Sequence, residues 1–388
     1  MYLRNNGKVA KRHGKSGNMG LGFLDVYNKK RVLITGNTGF KGSWMSQWLL
    51  QLNAHVYGYA LDPPTNPSLY DQLQLKKHVV HHTGDIRNLQ ELKKFIDLVR
   101  PDIIFHLAAQ SLVRESYKDP INTIETNITG TANVLEAVRQ LKISTNVVVI
   151  TSDKCYENHE WIHGYRENDP MGGYDPYSVS KGAAELIVSA WRRSFFNSDH
   201  FNDHGVKLAS ARAGNVIGGG DWAADRIVPD CMRSLFQGKQ IIVRNPLATR
   251  PWQHVLESLG GYLLLGSKML NCDEEQLNTY CSGFNFGPLP SSNRTVEVLV
   301  NEVIKLFGSG SWTYNKENAM HEAFLLNLSI DKAFHILNWQ PVWDFETTVS
   351  RTVAWYQQNF LDKNIIHFTE KQIHDYSKSF ITGMYDIY

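Results

Sequence analysis

The chain of 388 residues has few cysteines, and none of Cys155, Cys231, Cys272 and Cys281 stands in C-x-x-C spacing. A chain of this size has no need of disulfide stapling, so the four read as reduced, buried thiols of a cytoplasmic protein. Charge of one sign is also missing: 40 Lys and Arg balance 38 Asp and Glu, and no long run of either occurs. That excludes a general affinity for nucleic acid or for an anionic membrane surface. No apolar stretch approaches the ~20 residues of a transmembrane helix. The first twenty residues are basic and glycine-rich without an apolar core, which excludes a secretory signal. Residues 1–27 therefore read as an unstructured extension. His81-His82 could pair as metal ligands, but it follows the run of His78, Val79 and Val80 and precedes a turn at Thr83-Gly84, so it reads as a strand end and no metal is expected.

Alternating strands and helices are present instead. Short β-branched runs at 31–35, 55–61, 103–107 and 146–151 read as strands. Helical patterns fill 43–51, 88–99 and 126–140. Strands apolar on both faces and separated by helices predict an α/β fold, a Rossmann-type doubly wound parallel sheet. Beyond residue 212 glycines, prolines and tryptophans punctuate the chain (Trp222, Trp252, Trp312, Trp339, Trp343). That suits a smaller, loop-rich α/β lobe that grips a ligand, although tryptophans serve equally in cores. Strands at 207–212 and 282–286 are expected to rejoin the first sheet. The expected division is thus a dinucleotide-binding domain over 28–212 and a mainly substrate-binding lobe over 213–388, interleaved.

Gly36, Gly39 and Gly42 form G-x-x-G-x-x-G between the first strand and a helix. Glycines there allow a tight turn and close approach of a pyrophosphate, and the helix N-terminus supplies N–H donors. Asp62 ends the second strand about twenty residues on, where a carboxylate accepts from ribose hydroxyls and repels a 2′-phosphate, favouring NAD over NADP. The alternative is that Asp62 only begins the turn before Pro63 and Pro64. Asp85 and Ile86 follow the third strand, within reach of an adenine.

Tyr177 and Lys181 make Y-x-x-x-K, which places both on one helix face. An ammonium beside the phenol is expected to lower the tyrosine pKa, so that phenolate takes a hydroxyl proton as hydride leaves for nicotinamide. Thr151-Ser152-Asp153-Lys154 ends the strand NVVVI at the carboxyl edge, where open parallel sheets bind ligands. A turn or helix cap would use Ser and Asp as readily.

Together TGNTGFKG, HLAAQS, TSDKCYEN, YDPYSVSK and ARAGNVIGGGDW resemble the extended short-chain dehydrogenase/reductase family, from about residue 30 to beyond 350. Many of its members are NAD-dependent nucleotide-sugar epimerases or dehydratases. GFKGSW, LDPPTNPSLYDQL and GNVIGGGDWAADRIVPD resemble a 4,6-dehydratase branch whose substrate is CDP-glucose. The resemblance implies a Ser152, Tyr177 and Lys181 triad supported by Asn127. It also implies cofactor contacts at Thr38, Phe40 and Ala108, and substrate contacts at Ser111, Asn215, Arg226 and Arg250. Arg226 and Arg250 would serve as well in surface ion pairs. Tyr177 would take the C4 hydroxyl proton, the ketone would acidify C5, and the C6 hydroxyl would leave as water. In dTDP-sugar dehydratases an Asp-Glu pair serves the elimination. Here Asp153 matches the acid and Lys154 stands where the Glu base would be. The family further implies a homo-oligomer, a dimer or tetramer. A 4-epimerase, a dehydratase for another nucleotide sugar and a catalytically silent NAD sensor remain open on this scaffold.

Overall fold

A computed structural model describes residues 22–315, 325–361 and 363–385. Seven parallel strands form one sheet: β1 (Arg31–Thr35), β2 (His55–Ala60), β3 (Val80–Thr83), β4 (Ile103–His106), β5 (Thr145–Ile150), β6 (Val206–Ala213) and β7 (Gly283–Phe286). Their order is β7-β6-β5-β4-β1-β2-β3. From β1 the chain runs outward to β2 and β3, then returns past β1 to β4. The direction of winding thus reverses between β1 and β4, the position where such sheets open a crevice for a ligand.

Among the described residues, nine longer helices cover the sheet or build the lobe beyond it. They are α1 (Phe40–Gln51), α2 (Leu89–Val99), α3 (Gly130–Leu141), α4 (Pro176–Ser194), α5 (Ile227–Phe236), α6 (Val255–Asn271), α7 (Val296–Phe307), α8 (Phe345–Phe360) and α9 (Ile365–Tyr385). Strand alternation divides the core between two faces. Val32 and Ile34 of β1 join Trp44, Trp48, Leu263 and Trp355 on one side. Leu33 joins Leu92, Val134 and Val188 of α2, α3 and α4 on the other. Both faces are covered, so both sets of strand side chains are apolar.

Several boundaries differ from expectation. Helix α1 begins at Phe40, three residues early, because the glycine turn leads straight into it. Before α3, a short helix over Pro120–Ile124 and a π-turn over Glu125–Thr129 extend the helical path expected from 126. Residues 1–21 of the expected N-terminal extension lie outside the described residues. Its last six residues are corrected: Gly22–Tyr27 form a 3₁₀ turn. Leu24 and Tyr27 there are fully buried, and the Tyr27 hydroxyl donates to Leu263 O at 2.6 Å. The segment GFLDVY is mostly apolar, and burial of its leucine and tyrosine fixes it against the core. His81 and His82 lie inside β3, where His82 Nε2 meets Glu91 at 3.0 Å. The four cysteines are free thiols, three of them buried. Trp339 and Trp343 are core residues, whereas Trp222 and Trp252 reach a cavity wall. No described helix is long and apolar enough to cross a membrane.

Candidate active site

One cavity of about 1290 Å³ runs across the carboxyl ends of β1, β2, β4, β5 and β6. That exceeds the several hundred Å³ of a typical small-molecule site and leaves room for a second large ligand.

Its first wall is the glycine turn. Gly36 has φ +77°, in the left-handed region, and its N–H donates to Tyr59 O at 2.9 Å. A Cβ on Gly42 would lie 2.1 Å from Gly36 O, so helix α1 packs on the turn only if residue 42 has no side chain. Gly39 is different: a Cβ there would meet only Gly36 O, at 3.4 Å. Its open side faces the cavity. Gly39 is also the N-cap of α1 and gives no side-chain cap, so N–H donors of the first turn stay available to an anion. Thr38 closes the turn by donating to Leu61 O at 2.9 Å. Phe40 and Ala108 line the same wall, and exposed Asp62 stands at its rim past β2. These groups fit a dinucleotide: donors for a pyrophosphate, then a carboxylate one strand away for a ribose. Asp85 and Ile86 line the cavity beyond β3. Asp85 is clamped by Arg87, whose guanidinium holds its carboxyl below the usual range.

The second wall is the end of β5 with the start of α4. Asp175 caps α4 by accepting from Ser178 N at 2.9 Å, and Pro176 takes the first position, where its missing N–H costs nothing. This start places Tyr177 and Lys181 one above the other, with the Lys181 ammonium 5.9 Å from the Tyr177 ring centre. Both are buried, as are Ser152 and Asp153 opposite them. Ser152 Oγ donates to Asp153 Oδ1 at 2.8 Å and accepts from Lys154 N at 3.2 Å. Lys154 is half-buried on the wall.

The expected activation of Tyr177 is corrected. Burial drives its phenol up to about 12; a hydrogen bond with Ser152 opposes this, Asp153 adds to it, and Arg226 opposes it. Lys181 is itself pushed down to about 8 by burial, with Cys155 and Glu185 pulling the other way.

Asn127 is buried behind the cavity wall. Its amide donates to Gln110 O at 2.9 Å and to Ser180 Oγ at 2.8 Å, and its Oδ1 accepts from Gln110 N at 2.8 Å. It ties the loop after β4 to α4, and so positions rather than touches. Beneath the wall, Glu185 and Arg212 form a buried ion pair at 2.9 Å. Glu185 also accepts from Thr151 and Ser210, and Arg212 donates to the Tyr156 hydroxyl at 2.6 Å. The ends of β5 and β6 are therefore locked together below Ser152 and Asp153.

The third wall carries positive charge. Arg226 donates to Asp221 Oδ2 at 2.8 Å and to Ser111 Oγ at 3.2 Å, bringing two expected substrate residues into contact. The ion pair of Arg226 is thus made with a buried carboxylate on the cavity wall and not on the outer surface. Asn215 and Arg250 line the same end, with Arg250 also donating to Thr249 O at 2.9 Å. Arg114 and Arg244 converge there on Asp225.

Sequence reasoning missed Lys41, which sits in the glycine turn yet lines the cavity. Its Nζ donates to Tyr262 Oη of α6 at 3.2 Å. A signal was available: a cation in a helix's first turn opposes the helix dipole, a local violation that marks functional sites.

The comparisons with known proteins agree in kind. The family model for GDP-mannose 4,6 dehydratase matches residues 33–352. A CDP-glucose 4,6-dehydratase of Salmonella typhimurium is 49% identical over 353 residues, 91% of this chain and 97% of that protein. A dTDP-glucose 4,6-dehydratase of Haemophilus influenzae is 24% identical over 84% of this chain and 98% of its own. Among solved structures, DesIV, a dTDP-glucose 4,6-dehydratase of Streptomyces venezuelae with NAD and TYD bound, superposes with a TM-score of 0.71. It is 22% identical and is matched over 86% of this chain and 98% of its own.

Proposed function

The chain belongs to the GDP-mannose 4,6-dehydratase family, and from that membership we propose that it acts as a CDP-glucose 4,6-dehydratase. It converts CDP-glucose to CDP-4-keto-6-deoxyglucose and water. The observation that carries the reading is the placement of Asp153: a buried carboxyl hydrogen-bonded to Ser152 and facing the cavity beside Tyr177 and Lys181. A 4-epimerase needs no such acid, and a silent sensor needs no proton-transfer set. The identity of 49% with a CDP-glucose 4,6-dehydratase supports the choice of nucleotide.

NAD is the cofactor, held by the cradle of Gly36, Thr38, Gly39, Phe40 and Gly42 with Asp62, Asp85, Ile86 and Ala108; when bound it accepts the C4 hydride and returns it to C6. The chain's own residues manage the protons. Tyr177 takes the C4 hydroxyl proton, with Ser152 in contact with the same phenol and Lys181 beneath it. The new ketone acidifies the C5 hydrogen. Asp153 gives its proton to the C6 oxygen, which leaves as water. Lys154 is the position-matched group for the C5 proton, and Asn127 holds the loop on which the cavity floor rests. Ser111, Asn215, Arg226 and Arg250 hold the substrate pyrophosphate, for which the arginine fork is suited.

Residues 28–212 with β7 form the cofactor half, and residues from 213 onward, β7 apart, form most of the substrate half. The protein works in the cytoplasm as a homo-oligomer. Supporting the oligomer, Ile121, Ile124, Val179 and Leu186 are exposed on α4 and the helix packed against it. The test is incubation with CDP-glucose, with and without NAD, followed by mass spectrometry. Loss of one water without net reduced cofactor is the expected result. Turnover of dTDP- or GDP-sugars instead would reject the nucleotide.

A further inference from the structure

The cavity wall that carries Arg226 continues into charges that the reaction does not use. Arg226 is the N-cap of α5, and Asp230 stands one turn further on, its N–H donating to Arg226 O at 3.0 Å. Four residues of helix advance about 6 Å along its axis. A short strand, Ile241–Val243, follows α5, and Arg244 comes directly after it. Asp230, Ile242 and Arg244 line the main cavity. The same three line a second cavity of about 410 Å³, together with Arg233, Ser234 and Gln237. The two spaces meet at this trio.

Ile241 and Val243 are buried while Ile242 between them is exposed, so strand alternation puts Ile242 and Arg244 on one side. An apolar surface there adjoins a cation. Arg244 Nη2 reaches Asp225 Oδ1 at 2.9 Å and comes within 3.9 Å of Asp230 Oδ2, too far for a hydrogen bond. Asp230 is held from its other oxygen, where Arg233 donates to Oδ1. Asp230 Oδ2 and the donors of Arg244 therefore address one gap, an acceptor beside a row of N–H groups. Each of the two side chains keeps about a third of its surface open, so a ligand can reach both.

A nucleoside diphosphate held at Arg226 by its pyrophosphate extends in two directions. Its sugar runs toward Tyr177 and Asp153, and its base lies one ribose away on the other side. One turn of α5 beyond Arg226 spans that reach. The pairing edge of cytosine carries an amino donor at N4 and acceptors at N3 and O2, and its complement is a carboxylate beside a guanidinium. Resting on the dehydratase reading and its placement of the pyrophosphate, we propose that Asp230 and Arg244 read the cytosine of CDP-glucose. Asp230 Oδ2 accepts from N4, Arg244 donates to N3 and O2, and Ile242 packs on the face of the ring.

Repulsion contributes to the choice as much as attraction does. Uracil and thymine carry O4 where cytosine has N4, and an N–H at position 3 where cytosine has an acceptor. In this site O4 would meet a carboxylate oxygen and the N–H would meet a cation. The pair cannot turn to suit them, since an ionised aspartate has no donor and an arginine no acceptor. Neighbouring arginines keep the acids in place. Arg233 holds Asp230, and Arg114 shares Asp225 with Arg244 at 3.4 Å. Neither carboxylate depends on Arg244 alone for its counter-charge.

The test measures binding of CDP and of UDP to the NAD-loaded protein by titration calorimetry, in native, Arg244→Met and Asp230→Asn forms. The two ligands differ only at the pyrimidine edge. Native protein should prefer CDP by about a hundredfold or more, and each variant should give up about tenfold or more of that preference. In Arg244→Met the loss falls on CDP. In Asp230→Asn the affinity for UDP should also rise, because the amide can donate to O4. Unchanged NAD binding shows that a variant is folded. Equal affinities for CDP and UDP in the native protein overturn the proposal. So do variants that weaken CDP and UDP alike, which would make the pair a general phosphate charge, and variants that keep the full preference. Turnover of CDP-glucose by the native protein is followed in parallel. Selective CDP binding without turnover sinks the dehydratase reading alone.

Discussion

Tyr177 and Asp153 face the same few ångströms of cavity but are needed at different moments, and substitution should separate them. Tyr177→Phe removes the acceptor of the first proton, so turnover should fall about 10²–10⁴-fold, with no reduced nicotinamide formed. Substrate affinity should change little, since the phenol adds one hydrogen bond among many charged contacts. Asp153→Asn should behave otherwise. Oxidation at C4 proceeds, the leaving oxygen finds no acid, and the ketone accumulates; rapid-quench mass spectrometry distinguishes the two. The pH profile follows from Lys181. The Lys181 ammonium must persist, so activity falls as pH passes about 8. A falling alkaline limb in kcat/KM is expected.

At the scale of elements, the glycine turn and α1 work as one part. Alanine at Gly42 forces its Cβ into Gly36 O and pushes the helix off the turn. Gly42→Ala should weaken NAD binding by tenfold or more, about 1.4 kcal/mol, as titration calorimetry would show. This part was legible in the sequence because glycine spacing and strand–helix order are local. The Y-x-x-x-K pair was legible for the same reason, its cap and proline sitting two residues upstream. What was not legible is what distant elements bring together. Tyr262 lies more than two hundred residues from Lys41, so nothing local announces their contact. The phenol's response to burial is likewise invisible before the walls around it are known. Helix α6 holds a similar surprise. Its Glu257 accepts from Val342 N at 3.0 Å, Trp343 N at 2.7 Å and Tyr376 Oη at 2.9 Å, all reached by folding the C-terminal helices back. Burial outweighs these donors and raises its carboxyl to about 7 from an ordinary 4.5. A raised folded-state value means stability that is complete below about 4.5 and declines as pH rises through about 7. Glu257→Gln keeps the acceptor without the charge. The drop in Tm from pH 5 to pH 8 should be a few degrees smaller than in the native protein.

For the whole molecule, the exposed strip of Ile121, Ile124, Val179 and Leu186 is expected to be covered by a second copy. Leu186→Glu should shift the light-scattering mass toward one chain while leaving the circular-dichroism spectrum unchanged. If the native protein is already a monomer, the oligomer is excluded. The sheet's strand order has a further consequence, for synthesis. Strand β7 pairs with β6 but is translated some seventy residues later. At about 5–20 residues per second the ribosome needs several seconds to deliver it. Through that interval the nascent sheet presents β6 as a bare edge of unpaired backbone groups, the kind of template that recruits neighbouring chains. The growing polypeptide is therefore most exposed to aggregation while its cofactor cradle is already made and its substrate lobe is still emerging.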